Sequence, residues 1–311
     1  MIGGFLSSRL GNISSDLIYP LPRRFMFDDC IKDLRCHGST GMTYLALDTN
    51  FSDINNLNRA NRHADTIINL IGPRRYFTHK IEHFKEANIE IPRMIAKSAR
   101  LMGTKRLIHI SACGADTRSP SLDLQTKAIG EQAVRDEFPD AIIIRPSLVL
   151  SRRDYFIQHY MHLIKYWGTF VPVFDDCTAL KQPISLDDLI ECIFNAMQLE
   201  GIEGKTFECA GPFVYQHKEL IEIIKTALDR PIKIAYVNRE LALQVSKVFG
   251  WRYFNREDII KSSLDLVATQ QNGEGNCSDL FVQPASVAPY INNILYTRRD
   301  RNAMTKVERE I

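Results

Sequence analysis

Short apolar runs separated by helix-length segments, repeated along the middle of the chain, constrain the fold more than any other feature. Thr66-Ile-Ile-Asn-Leu-Ile71 reads as a buried strand, and Gly72-Pro73 punctuates its end. Pro92 then opens a helix with Ile95, Ala96 and Ala99 on one face, and Gly103 closes it. Arg106–Ser111 is the next strand, Leu124–Glu137 the next helix, and Ala141-Ile-Ile-Ile-Arg-Pro146 a further strand stopped by its proline. Strands joined through helices of this length are parallel neighbours, because a parallel pair needs a crossover.

The same pattern extends both ways. Asp16–Tyr19 and Met42–Asp48 read as two earlier strands, and Lys205–Ala210 as a late one. Asp187–Met197 and residues 216–229 are amphipathic helices, Leu241–Trp251 is amphipathic too, and 270–278 reads as an exposed loop. This predicts an α/β fold, a doubly wound parallel, Rossmann-like sheet with a smaller C-terminal part. Residues 1–212 form the nucleotide-binding domain and 213–311 the smaller lobe and docking tail, with 155–186 contributing to the smaller lobe. In such sheets ligands bind at the carboxyl ends of the strands, which directs attention to the residues just beyond each apolar run.

Composition narrows the function. A chain of 311 residues with 45% hydrophobic and 24% charged residues is that of a globular protein. A net charge of +2, with no run of five or six like charges, excludes nucleic acid as the expected partner. The seven cysteines are scattered with no C-x-x-C, which argues against a zinc ribbon or a disulfide scaffold and suggests a reducing compartment. Each is most simply read as a small hydrophobe. No apolar run reaches the roughly 18 residues of a membrane-spanning helix. The first 15 residues carry Arg9, several serines and no acid, a composition compatible with a transit peptide, although Gly3–Leu6 fits the folded domain better.

Ordered short stretches carry a family resemblance: Gly4-Phe-Leu6, Ala64-Asp-Thr-Ile-Ile-Asn-Leu-Ile-Gly72, Ile91-Pro92, Arg106-Leu-Ile-His-Ile-Ser111, Lys127-Ala-Ile-Gly-Glu131, Val134–Pro139, Ala141–Ser147, Lys181-Gln-Pro183 and Gly204–Phe207. Together they resemble the atypical, extended short-chain dehydrogenase/reductase family over most of residues 3–215, with Asn255-Arg-Glu-Asp258 similar to its late helix start. The resemblance is narrower to the branch that serves as accessory subunits of mitochondrial respiratory complex I. It implies a non-catalytic, NADP(H)-binding protein, peripheral on the matrix side of the inner membrane. Its partners would be other complex I subunits of the matrix arm and membrane junction.

The resemblance also implies a set of cofactor-binding residues. The phosphate loop G-x-x-G-x-x-G lets backbone N–H groups meet a pyrophosphate. Here its positions are Met1, Gly4 and Ser7, so only the central glycine is kept; Gly4, Phe5 and Leu6 are left to present amides, and NADP(H) binding is expected to be weakened or lost relative to an intact loop. The strand expected before that loop has no counterpart after Met1. An unfilled slot is therefore expected between the strands at 16–19 and 66–71. A neighbouring chain, further N-terminal residues or closing of the sheet would fill it, because unpaired backbone groups are costly. Arg23 and Arg24 suit a 2′-phosphate, hence NADP(H), and equally a solvated basic turn. Asp48 would accept from the adenine amino group, or cap a turn. Asn69, Leu70, Ile71 and Gly72 would line the adenosine ribose, with Gly72 permitting close approach. Lys127 would lie at the nicotinamide ribose, Ser111 would polarise a substrate carbonyl in an active relative or simply end its strand, and Pro146 and Ser147 complete the set.

The catalytic position is where the resemblance departs from an active enzyme. A Tyr-x-x-x-Lys pair is expected, but the residue four before Lys127 is Asp123, and no tyrosine lies between Tyr76 and Tyr155. An aspartate, with a reference pKa of ~3.9, is ionised at neutral pH and a poor proton donor to an alkoxide. Lys127 can still bond ribose hydroxyls, or be a solvated helix lysine. No catalytic residue is therefore expected. A reductase or epimerase with another proton donor, and an NADP(H)-sensing regulator, remain the alternatives. His79-Lys-Ile-Glu-His83 matches the H-x-x-E-H zinc pattern, as a chance match in an α/β setting, and no metal site is expected. Residues 241–254, with Trp251-Arg-Tyr-Phe254, suit a membrane surface about as well as core packing.

Overall fold

The computed structural model of the chain describes residues 2, 6, 17–21, 44–48, 50–73, 81–151, 154–167, 170–228, 233–249, 255–269 and 274–295. It divides into two compact units. The first comprises residues 1–146, 187–209 and 269–283, and the second 147–186, 210–268 and 284–311.

The first unit is built on a five-stranded parallel sheet, in the order Gly275–Asn276, Thr206–Cys209, Ile142–Pro146, Arg106–Ile110, Thr66–Asn69. Ile142, Ile143 and Ile144 are fully buried, as expected for a central parallel strand covered on both faces. The register places Asn69 beside His109, His109 beside Ile143, and Glu208 beside Arg145. Because side chains alternate along a strand, Asn69, His109, Arg145 and Glu208 share one face, which carries the Leu122–Glu137 helix. Phe207, Cys209 and Gly275 share the other. A cluster of Phe51, Leu57, Ile95, Ala96, Ala99, Leu107, Val134 and Ala141 fills the space on the first face.

Leu17–Leu21 and Tyr44–Asp48 pair in parallel as a separate two-stranded sheet. Among the described residues no ladder joins that pair to Thr66–Asn69, so the doubly wound sheet is interrupted where a central slot was expected.

Two local expectations change. Pro92 does stand in the first turn of the Ile91–Met102 α-helix, but that helix does not start from a loop. It follows Ile81–Lys85 and a π-helical stretch, Glu86–Glu90, that run directly into it. The Ile91 N–H reaches back to the Glu86 carbonyl, so the ladder has already shifted where proline contributes no donor. Gly103 does close the helix. It sits at φ 70°, and its N–H bonds the Ala99 and Arg100 carbonyls. Nor is 270–278 wholly an exposed loop: Gly275–Asn276 adds an edge strand, and Cys277 is buried.

The second unit has its own core: Leu150, Ile157, Tyr160, Leu163, Val171, Val173, Ile221, Ile224 and Ile291 among others. Tyr155–Trp167, His217–Leu228 and residues 287–295 supply most of it, with the parallel pair Phe170–Phe174 and Lys233–Val237. Lys181 is buried and donates to the Lys261 and Leu264 carbonyls, at the end of the Arg256–Ser262 helix that Asn255 caps. The ammonium thus answers the negative end of that helix. No helix among the described residues is long and apolar enough to cross a membrane.

Candidate functional site

At the carboxyl edge of the first unit's sheet, three elements bring polar side chains together. Asn69 ends one strand, and His109 and Ser111 stand at the end of its neighbour. Lys127 reaches across from the Leu122–Glu137 helix, its Nζ donating to the Ser111 carbonyl at 3.2 Å. The Asn69 Oδ1 accepts from the Ile71 N–H at 3.1 Å, which turns Nδ2 toward His109 Nδ1 at 3.0 Å. Nδ1 therefore accepts, and the ring proton sits on Nε2. Burial, helped by the Lys127 ammonium, pushes His109 down to about 3, so the imidazole is neutral at physiological pH.

The Ser111 hydroxyl is buried, and no hydrogen-bond partner reaches it among the described residues. A buried hydroxyl left without a partner costs on the order of 1–3 kcal/mol, a cost that a polar ligand at this edge would offset. Gly72, beyond the neighbouring strand, is exposed with nothing near the place a Cβ would occupy. An unmet hydroxyl and an open glycine thus stand at the carboxyl edge of the sheet, where ligands bind in folds of this class.

Asp123 has a different setting. It stands in the first turn of its helix, buried, and its Oδ1 accepts from Asn88 Nδ2 at 2.9 Å. The same amide reaches Thr126 Oγ1 at 2.9 Å. Asn88 belongs to the π-helical stretch, and Gly130 lies so close to it that a Cβ would fall 1.8 Å from the Asn88 carbonyl oxygen. The helix bearing Asp123 and Lys127 is thereby held against Glu86–Glu90.

The remaining expected residues are distributed as follows. Leu70 and Ile71 are half-buried beside Asn69. Pro146 ends its strand, and its carbonyl accepts from the Cys113 N–H. Ser147 belongs to the second unit, where its hydroxyl donates to the Leu266 carbonyl at 2.8 Å. Asp48 ends the Tyr44–Asp48 strand. Leu6 is helical and buried, whereas Gly4, Phe5, Arg23, Arg24, His79 and Trp251–Phe254 lie outside the described residues.

Sequence reasoning missed two participants, His109 and Asn88, and left the role of a third, Arg145, unassigned. His109 lay in a recognised strand but was counted only as strand, although a histidine inside an apolar run was the available signal. Asn88 carried none. Arg145 holds a buried charge cluster, forked on Glu131 at 2.7 and 3.0 Å, bonded to Glu274 at 2.5 Å and 3.9 Å from Glu208. The Glu208 Oε2 also accepts from the Thr269 N–H.

No family model matches the sequence. The fold is that of a dTDP-glucose 4,6-dehydratase from Streptomyces venezuelae, solved with NAD bound, at a TM-score of 0.70 and 15% identity over 97% of this chain and 95% of that one. In sequence the chain is 23% identical to the mitochondrial NADH-ubiquinone oxidoreductase 40 kDa subunit of Neurospora crassa, over 96% of the chain and 77% of that protein. It is 32% identical, over 96% of its residues and 78% of the relative's, to a mouse mitochondrial protein. That protein is NADH dehydrogenase (ubiquinone) 1 alpha subcomplex subunit 9, and the chain belongs to its family.

Proposed function

We propose that the chain is a non-catalytic accessory subunit of mitochondrial respiratory complex I, peripheral on the matrix side, that holds NADP(H) structurally. Family membership carries the assembly, and the orphaned Ser111 hydroxyl carries the nucleotide. In this reading Lys127 and Ser111 bind the nicotinamide ribose. Asn69, held by His109, fixes the backbone through Ile71 and Gly72 against the adenosine ribose. Arg23 and Arg24 favour the 2′-phosphate, and Asp48 the adenine. When bound, the dinucleotide stabilises the native state by mass action. Catalysis is not expected, because Asp123 stands where a proton-donating tyrosine would, and its carboxylate is engaged by Asn88. Exposed Leu241 and Val245 on the Arg239–Phe249 helix would lie toward the membrane surface.

The test is purification of the native protein from mitochondrial membranes, followed by denaturation and chromatography of the released nucleotide. Co-migration with a large membrane complex and release of NADP(H) near one per chain are expected. A chain that migrates alone and oxidises NADPH with a carbonyl substrate, losing that activity in Lys127→Ala, would point instead to a free-standing reductase.

A further inference from the structure

Cys192, Cys209 and Cys277 are far apart in sequence, yet their sulfur atoms all lie within 4.8 Å of one another. The sheet register explains the convergence. Thr206–Cys209 and Gly275–Asn276 pair with Phe207 beside Gly275 and Glu208 beside Asn276. The next step along both strands sets Cys209 beside Cys277. Alternation sends Cys209 to the face of Phe207 and away from the face of Glu208 and Arg145. The Leu186–Gln198 helix brings Cys192 to the same point. The three are 0%, 0% and 4% exposed, and Phe207, Leu189 and Ile193 are buried beside them in sequence. All belong to the first unit.

We infer that Cys192, Cys209 and Cys277 form a three-thiolate site for a soft monovalent d10 ion, Cu(I). Three sulfurs each ~2.3 Å from one ion in a trigonal plane stand ~4.0 Å apart, within the observed spread. Thiolates select soft ions such as Cu(I) and Zn(II). A structural zinc takes four ligands, and among the described residues no fourth histidine, cysteine or carboxylate joins this group. A three-coordinate ion fits the set better. Each coordinating thiol releases its proton to solvent as the ion enters, and no electron moves. Packing alone accounts for single buried cysteines. Cys113 and Cys177 show that case: both are buried outside the group, and Cys113 Sγ donates to the Arg145 carbonyl.

The full chain, prepared anaerobically in reductant, is titrated with Cu(I) against the chelator bathocuproine disulfonate, with Zn(II) in a parallel arm. One Cu(I) per chain is expected to survive desalting, and X-ray absorption is expected to show sulfur neighbours only, near ~2.3 Å. Cys192→Ser and Cys277→Ser should each lower retention at least tenfold, with Cys113→Ser and Cys177→Ser retaining as wild type does. Failure of the wild-type chain to hold Cu(I), nitrogen or oxygen neighbours in its spectrum, or preferential retention of Zn(II) overturns the assignment. Should the serine variants unfold, the wild-type stoichiometry and spectrum still decide it.

Discussion

The side-chain amide of Asn69 donates to His109 Nδ1 across two neighbouring parallel strands, at 3.0 Å, while its oxygen accepts from the Ile71 N–H. One amide therefore fixes the tautomer of a buried imidazole and the backbone that leads to Gly72. Asn69→Ala removes both bonds and leaves a buried ring nitrogen without its donor. We expect a loss of about 2–3 kcal/mol in urea unfolding of the full chain. Asn69→Asp is the sharper variant. A carboxylate against Nδ1 favours the imidazolium, so His109 should titrate well above its present value of about 3, as NMR of the ring protons would show. An unchanged His109 titration in Asn69→Asp would contradict this geometry.

Gly130 gives a second expectation. A methyl group there meets the Asn88 carbonyl oxygen at 1.8 Å, which is backbone and cannot swing aside as a side chain would. Gly130→Ala must push the Leu122–Glu137 helix off the π-helical stretch. Helix propensity favours alanine by ~1 kcal/mol, but overpacking costs ~1–3 kcal/mol or more, so the variant should be less stable. It should also loosen the bond between Asn88 and Asp123 and shift the helix that carries Lys127. Thermal melts would check the sign, and an equal or higher melting temperature would refute the close approach.

These two sites show where the sequence was legible. Strand runs such as Ile142–Pro146 and helices such as Leu122–Glu137 were evident because burial imposes a period on apolar residues, and the parallel order followed from crossover length. The missed features depend on contacts made across long separations. Nothing near Asn88 in sequence signals that its amide will meet Asp123. The π-helical stretch before Pro92 is a change of hydrogen-bond register, which leaves no mark in apolar spacing. Residues 270–278 read as loop because of their Gly-, Asn- and Ser-rich composition, and a two-residue strand is too short for alternation to register. Lys127 and Ser111 are singled out by position relative to strand ends, a rule of the fold rather than of local composition.

Arg145 is bonded to Glu131 and Glu274 and stands 3.9 Å from Glu208. Arg145→Met removes that charge from beside the buried Glu131 and Glu208 and the half-buried Glu274. Breaking a buried pair from one side typically costs ~3–5 kcal/mol, because the partner charge is left uncompensated. Burial already raises the Glu274 carboxyl, with Arg145 opposing the shift. Without the guanidinium the Glu274 carboxyl should take up a proton more readily. Stability of Arg145→Met relative to wild type should therefore recover on moving from pH 7 toward pH 5. A deficit of the same size at both pH values would show that packing, not charge, was lost.

The second unit carries its own acid sensitivity in His217. Its Nε2 meets the Tyr160 hydroxyl at 2.7 Å and its Nδ1 the Ser262 carbonyl at 3.1 Å. A carbonyl can only accept, so Nδ1 carries the proton and Tyr160 donates to Nε2. Protonating Nε2 would break that bond inside a buried site. Burial first, and Lys181 second, push His217 down to about 4 from an ordinary 6.5. Between those values the unfolded chain binds the proton and the folded chain does not. Stability from this group is thus complete above pH 6.5 and is lost as pH falls toward 4. A shift of that size corresponds to on the order of 3 kcal/mol across the window. His217→Phe should lower stability at pH 7, because Tyr160 loses its acceptor, yet it should flatten the fall between pH 6.5 and 4. The comparison therefore rests on the slope of unfolding free energy against pH. A slope identical in wild type and variant would mean that His217 titrates alike in the folded and unfolded chains.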